Sequence, residues 1–325
     1  MLERATRIEL AFSAWEADVL PLNYARVGRH CSETGQYVDM KIGAFVPLGT
    51  LNVNPEFMTA LGPALEERGF ESVWVAEHVV MFDDYDSKYP YADTGRFPAG
   101  GDVGLLEPMT ALAALATTTT TLRLGTGICL VSQRNPVYTA KQVVDVDVIS
   151  GGRVDFGVGI GWLREEFDAL NVPFERRAKR ADEHLEVMKR LWTEETASFD
   201  GELYTLPPSR MYPKPVQQPH PPIHVGGESD AALRRAARLG QGWYGFNRTP
   251  EETVEALERL DKALEAEGRS RADFTVTICP YFKPIDRDDL KKYEELGVDR
   301  VNVVAFAFDR DGLLKALDDL ESALL

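Results

Sequence analysis

The chain has 325 residues, of which 36 are Lys or Arg and 52 are Asp or Glu, giving a formal charge of −16. An acidic balance of that size repels nucleic acid and anionic membrane, so neither is expected as a partner, and its ordinary consequence is solubility. No apolar run approaches the roughly 20 residues of a membrane-spanning helix, and Cys31, Cys129 and Cys279 show no paired metal-ligand spacing.

A reducing cytoplasm fits these cysteines, with buried, inert thiols at Cys129 and Cys279. Residues 1–39 mix Trp15, isolated charges and Cys31 without a sustained period, and they lack the compact apolar region of a signal peptide. They read as a non-native leader or poorly ordered extension, with an added functional helix as the alternative. The domain proper is expected over residues 40–325.

From Met40 a strand–helix alternation begins. A strand over 41–46 precedes a helix over about 55–68, capped by Asn54 and stopped by Gly69. A strand over 72–76 ends in Glu77 and His78, and a long insert over 79–107 follows, rich in Asp, Gly, Tyr and Phe. After a helix over 108–118, the apolar run 122–130 gives a third strand. Asn135 caps the next helix and Pro136 suits its first position, where an N–H would have no intrahelical partner. Gly151 and Gly152 end it, and a strand over 154–158 runs into Gly159-Ile160-Gly161-Trp162.

A second insert carries a helix around 181–194 with Leu185, Met188, Leu191 and Trp192 on one face, a hairpin over 197–204 and a proline-rich stretch over 207–222. Four more strands are expected at 223–225, 242–246, 274–279 and 300–305, each followed by a helix. Thr249 to Glu252 forms a capping box, with Val254, Leu257, Leu260 and Leu264 on the buried face behind it.

Eight mostly apolar strands alternating with helices predict an α/β fold, a closed parallel (β/α)8 TIM barrel with long inserts after strands two and four. An open doubly wound sheet would carry a glycine-rich turn after its first strand, whereas Pro47-Leu48-Gly49-Thr50-Leu51 stands there.

In such a barrel the site lies at the C-terminal ends of the strands. The residues that fall there are Glu77, His78, Gly127, Ile128, Gly159, Gly161, Trp162, Gly226, Gly227, Glu228, Ser229 and Asn247. Gly226 and Gly227 allow close backbone approach, and Ser229 opens a helix whose free N–H groups favour an anion. Ser229 serves equally as a plain N-cap. Trp162 either walls a pocket or belongs to the core. The insert aromatics Phe82, Tyr85, Tyr89, Tyr91 and Phe97 form either a lid or a packed excursion. Arg164, Glu165 and Glu166 read as exposed helix charges without a role. No His-x-His pair and no lysine placed for a Schiff base stands at the strand ends, which argues against a metal hydrolase or an aldolase.

These same residues carry a resemblance. Val73-Trp74-Val75-Ala76-Glu77-His78, Leu124-Gly125-Thr126-Gly127-Ile128 with Arg134-Asn135-Pro136, and Ser150-Gly151-Gly152-Arg153 with Gly157-Val158-Gly159-Ile160-Gly161-Trp162 resemble signatures of the bacterial luciferase-like oxidoreductase superfamily. Val225-Gly226-Gly227-Glu228-Ser229, with Ala236-Ala237-Arg238-Leu239-Gly240 and Gly242-Trp243, completes the set. Within the superfamily the chain most resembles the branch that uses the deazaflavin coenzyme F420.

The resemblance implies that His78 faces the cofactor ring, that Gly127–Ile128 is a non-proline cis peptide pressing on that ring, and that the cofactor phosphate sits at Gly226–Ser229. It also implies a homodimer. The chain departs from the sugar-phosphate dehydrogenase members at two positions. Trp162 stands where those carry a catalytic glutamate, and Phe82 where they carry a tryptophan. The implied activity is hydride transfer between F420 and a small organic substrate. The alternatives are an FMN-dependent monooxygenase of the same superfamily and a non-catalytic flavin- or deazaflavin-binding protein.

Overall fold

A computed structural model describes residues 40–98 and 100–325. The expectation for residues 1–39 lies outside the described residues. The first strands are β1 (Lys41–Phe45), β2 (Ser72–Val75), β3 (Arg123–Thr126), β4 (Cys129–Leu130) and β5 (Val154–Gly159). An antiparallel pair, β6 (Ala197–Asp200) and β7 (Thr205–Ser209), stands apart from the barrel. Then come β8 (Ile223–Gly226), β9 (Gly242–Phe246), β10 (Thr275–Cys279) and β11 (Arg300–Val304).

The main sheet runs β3-β2-β1-β11-β10-β9-β8-β5-β4 and closes through a further β3–β5 pairing. Every ladder in it is parallel. β3 and β4 act as one stave interrupted at Gly127–Ile128, so the closed structure is the expected (β/α)8 barrel.

Local sequence explains the helix ends. Asn54 Oδ1 accepts from the amide of Phe57 at 2.9 Å, and Asn135 Oδ1 accepts from those of Val137 and Tyr138 at 3.0 and 3.2 Å. Gly151 ends its helix in the left-handed region at φ 69°. The Thr249–Glu252 capping box is present, but the buried face behind it is rotated from the expected one. Thr253, Ala256, Leu257, Leu260 and Leu264 are buried, whereas Val254 is exposed. The hairpin begins at Ala197 as expected, but its second strand lies later, over Thr205–Ser209, with Pro207 and Pro208 inside it. β7 pairs only with β6, so its prolines break no central ladder.

The barrel interior is layered. At the N-terminal ends of the strands, Asp155 accepts from Arg123 Nη2 at 2.7 Å and lies 3.2 Å from Arg300 Nη2 and 3.3 Å from His224 Nε2. Arg300 also pairs with Glu71 at 2.8 Å. Burial pushes the Asp155 carboxyl up, but the charges of Arg123 and Arg300, with the Arg123 and His224 hydrogen bonds, hold it well below the usual range. Above this ionic floor lie Trp74 and Tyr244, rings 5.0 Å apart. Gly125 makes room for Trp74, since a Cβ there would fall 2.3 Å from its ring. Higher still, at the C-terminal ends, the interior opens. No helix among the described residues is long and apolar enough to cross a membrane.

Candidate active site

A cavity of about 640 Å³ occupies the C-terminal mouth, within the range of small-molecule sites. Its floor is Phe45, Tyr244 and Ile128. The Gly127–Ile128 peptide bond is cis, and the Gly127 amide donates to Val75 O at 2.7 Å. Ile128 sits on glycines. A Cβ added at Gly159 would fall 2.3 Å from Ile128 Cδ1, and one at Gly226 would fall 2.6 Å from it. Gly159 therefore lies buried beneath Ile128 and not on the cavity wall, and its lack of a side chain serves that packing. Gly226 serves the same packing and also lines the cavity.

His78 follows β2 and is about nine-tenths buried. Its Nε2 lies 3.3 Å from Trp162 Nε1, and its Nδ1 lies 3.1 Å from Glu166 Oε2. An indole N–H only donates, so Nε2 must present its lone pair and the neutral ring carries its proton on Nδ1, directed at the Glu166 carboxylate. Glu166 is fully buried, and its other oxygen accepts from the Val79 amide at 2.6 Å. The result is a fixed imidazole with a carboxylate behind it, ready to stabilise an added proton.

Sequence reasoning missed Glu166. The signal was present, because Glu166 lies three residues after Leu163 and next to Phe167, both fully buried, on the apolar face of the short helix Arg164–Ala169. A glutamate on that face has to find a partner.

Glu77 lines the cavity but is committed elsewhere. It accepts from Arg134 Nε at 2.6 Å and from the Leu130 amide at 2.6 Å, tying the end of β2 to the end of β4. Arg134 in turn binds Glu107. Trp162 lines the cavity, and Tyr85 and Tyr89 meet its ring edge-on at 5.7 and 5.2 Å. Of the insert aromatics, Tyr89, Tyr91 and Phe97 line the wall, Tyr85 packs behind Trp162, and Phe82 is outside the lining.

On the far side, Gly161 (φ 74°) and Gly227 (φ 104°) take conformations that favour glycine. The Gly161 carbonyl accepts from Arg177 Nε at 3.1 Å. Ser229 caps the helix Asp230–Leu239, accepting from the Ala232 amide at 3.2 Å, so its capping role is present whatever the helix end binds. The Glu228 carboxyl accepts from the Phe246 amide at 3.0 Å and the Tyr91 hydroxyl at 3.1 Å, and burial pushes it above its ordinary range. Asn247 takes φ 55° and donates to Tyr91 O at 3.3 Å, outside the lining. Sequence reasoning also missed Tyr281, Phe282 and Phe306, which follow β10 and β11 and line the mouth. Cys129 and Cys279 are fully buried free thiols.

Comparison with known proteins places this geometry. The luciferase-like monooxygenase family profile matches residues 40–301. An uncharacterized protein of Mycobacterium tuberculosis is 33% identical over 247 residues, covering 76% of this chain and 84% of its own length. The FMNH2-dependent dimethylsulfone monooxygenase of Pseudomonas putida is 35% identical over 165 residues, 50% of this chain and 45% of its own. The coenzyme F420-dependent tetrahydromethanopterin reductase of Methanopyrus kandleri superposes with a TM-score of 0.68 at 17% identity, over 88% of this chain and 99% of that one. With the profile spanning most of the barrel, the chain belongs to the luciferase-like monooxygenase family.

Proposed function

We propose that the chain is an F420-dependent oxidoreductase that moves a hydride between the deazaflavin and a small organic substrate. The observation that carries this reading is the Trp162–His78–Glu166 chain at the edge of an apolar cavity floored by Ile128. The cavity fits a flat ring system, since its floor is a single aliphatic side chain flanked by the rings of Phe45 and Tyr244. Ile128 would underlie the ring. Gly226, Gly227 and Ser229 would hold the phosphate against the first-turn amides of the helix Asp230–Leu239, with Glu228 turned away toward Tyr91 and Phe246. The bound deazaflavin supplies the two-electron chemistry.

The protein handles the proton. When an alcohol is oxidised, its hydroxyl proton passes to His78 Nε2 as its carbon loses hydride, and Glu166 stabilises the imidazolium. In the reverse direction the imidazolium returns that proton to a carbonyl oxygen. Trp162 holds Nε2 until substrate arrives, and the surrounding rings exclude water. Glu166 touches neither substrate nor cofactor in this scheme and is a positioning residue for His78.

Anaerobic turnover of F420 with a panel of alcohols and carbonyl compounds tests the reading. Absorbance change dependent on both substrate and His78 supports it, and none across the panel opposes it. The likeness to the Pseudomonas putida enzyme favours a second reading, an FMN-dependent monooxygenase, for which reduced FMN would drive substrate-dependent oxygen consumption.

A further inference from the structure

We propose that the substrate side of the cavity takes a neutral, elongated apolar molecule with one hydrogen-bonding oxygen and rejects its anionic counterparts. The inference rests on the reading above, in which the cofactor ring enters from the glycine-rich side at β8. In the barrel order β8 stands across from β1. The wall opposite the glycines is therefore built by the segments after β1, β10 and β11 and by the insert after β2. These contribute Leu51, Val103, Leu105, Tyr281, Phe282 and Phe306.

Among the described residues no lysine or arginine lines the cavity. The polar groups that do line it are mostly occupied. Asn52 bonds the Gly49 amide at 2.9 Å and the Pro47 carbonyl at 3.1 Å, Glu77 is held by Arg134, and Glu228 by Tyr91 and Phe246. His78, held on the cavity side by one 3.3 Å contact, and the Tyr244 hydroxyl, which has no hydrogen-bond partner among the described residues, are left to meet a substrate oxygen. An anion on this wall would lose its water among aromatic rings, with no lysine or arginine among the described lining residues to compensate.

The apolar wall continues outward. Leu51, Phe282 and Phe306 are 52%, 65% and 44% exposed while lining the mouth, so an alkyl chain longer than the cavity keeps apolar contact as it leaves. Each added methylene should then tighten binding about three- to fourfold until the chain passes Phe282.

The test uses 2-nonanone, 8-oxononanoate and its methyl ester, three ligands sharing one carbon skeleton near the ketone. Binding is read by quenching of tryptophan fluorescence, without turnover, and F420 is titrated into the same preparation so that the cofactor reading is scored separately. Ketone and ester should bind at least tenfold more tightly than the carboxylate. Equal or tighter binding of the carboxylate overturns the proposal, as does failure of all three to bind at millimolar concentration. The substitution Phe306→Lys, at a half-exposed rim position, places a cation in the wall. It should narrow the discrimination about tenfold or more in a protein of unchanged melting temperature, and undiminished discrimination overturns the proposal.

Discussion

The floor and the mouth of this barrel handle buried charge in opposite ways. At the floor, Asp155 meets Arg123, Arg300 and His224, and Arg300 also meets Glu71. Burial pushes both carboxyls up, yet the neighbouring guanidinium groups outweigh it and hold both below their ordinary range. At the mouth, Glu228 meets only a phenol and an amide at hydrogen-bonding distance, and burial wins. Glu166 meets a neutral imidazole and amides. The floor is closed with its charges matched, whereas Glu228 at the mouth meets neutral groups and is raised by burial. Matched charge fixes the barrel at its floor and, through Glu77 and Arg134, at the end of β2, while Glu166 and Glu228 meet neutral groups instead.

The largest expected effect breaks the floor. Asp155→Ala leaves Arg123 and Arg300 facing each other in the interior and should destabilise the protein by about 3–5 kcal/mol in urea unfolding. A loss below about 1 kcal/mol would mean the network is not what closes the barrel. Next comes His78→Ala, which should lower turnover about 10²-fold or more while changing the cofactor dissociation constant less than about threefold. Parallel losses in both would make His78 a packing residue.

Glu166→Gln sharpens the mouth. The amide can still accept from Val79, but its NH2 would face the Nδ1–H of His78, and the other tautomer would set an Nε2–H against the Trp162 N–H. Turnover should fall about tenfold or more, and the pH profile of kcat/KM should move to lower pH as the imidazolium loses its carboxylate. Glu166→Asp should recover part of both. An unmoved pH profile would leave Glu166 a purely structural role.

The smallest effects are pH-dependent and opposite in sign. Asp155 is depressed in the folded state, so as pH falls the unfolded chain binds this proton first. The stabilisation is fully present above the ordinary carboxyl value of about 4 and is lost as pH falls through the lower folded value. Glu228 is raised, so its ionisation costs stability that grows as pH rises above the ordinary value. Glu228→Gln should therefore stabilise slightly at pH 8, by under about 1 kcal/mol, with the gain vanishing below about pH 4. A destabilised variant at pH 8 would show that the carboxylate is needed ionised at that position.

Much of this was legible in the chain because barrel strands are buried on both faces and their turns carry glycine, proline and capping residues. Asn54, Asn135, Gly151 and Thr249 each act as their type predicts. The less legible parts depend on contacts distant in sequence. Asp155 and Arg300 lie inside apolar strands and meet only when the barrel closes. Glu166 sits in a run of charges that looks solvent-facing until the apolar phase set by Leu163 and Phe167 is followed. Val254 fails in the other direction, since the helix turns its neighbour Thr253 inward instead. Gly159 stands at a strand end where a site residue is expected, but what packs against it is Ile128.

The most direct test of the account is a titration of the purified protein with F420 and with FMN, followed by tryptophan fluorescence, since Trp162 lines the cavity. The account predicts F420 binding in the micromolar range or tighter, with FMN at least about tenfold weaker and quenching reduced in Trp162→Phe. Preference for FMN would contradict the F420 assignment and favour the monooxygenase, and binding of neither would contradict the placement of a cofactor in this cavity.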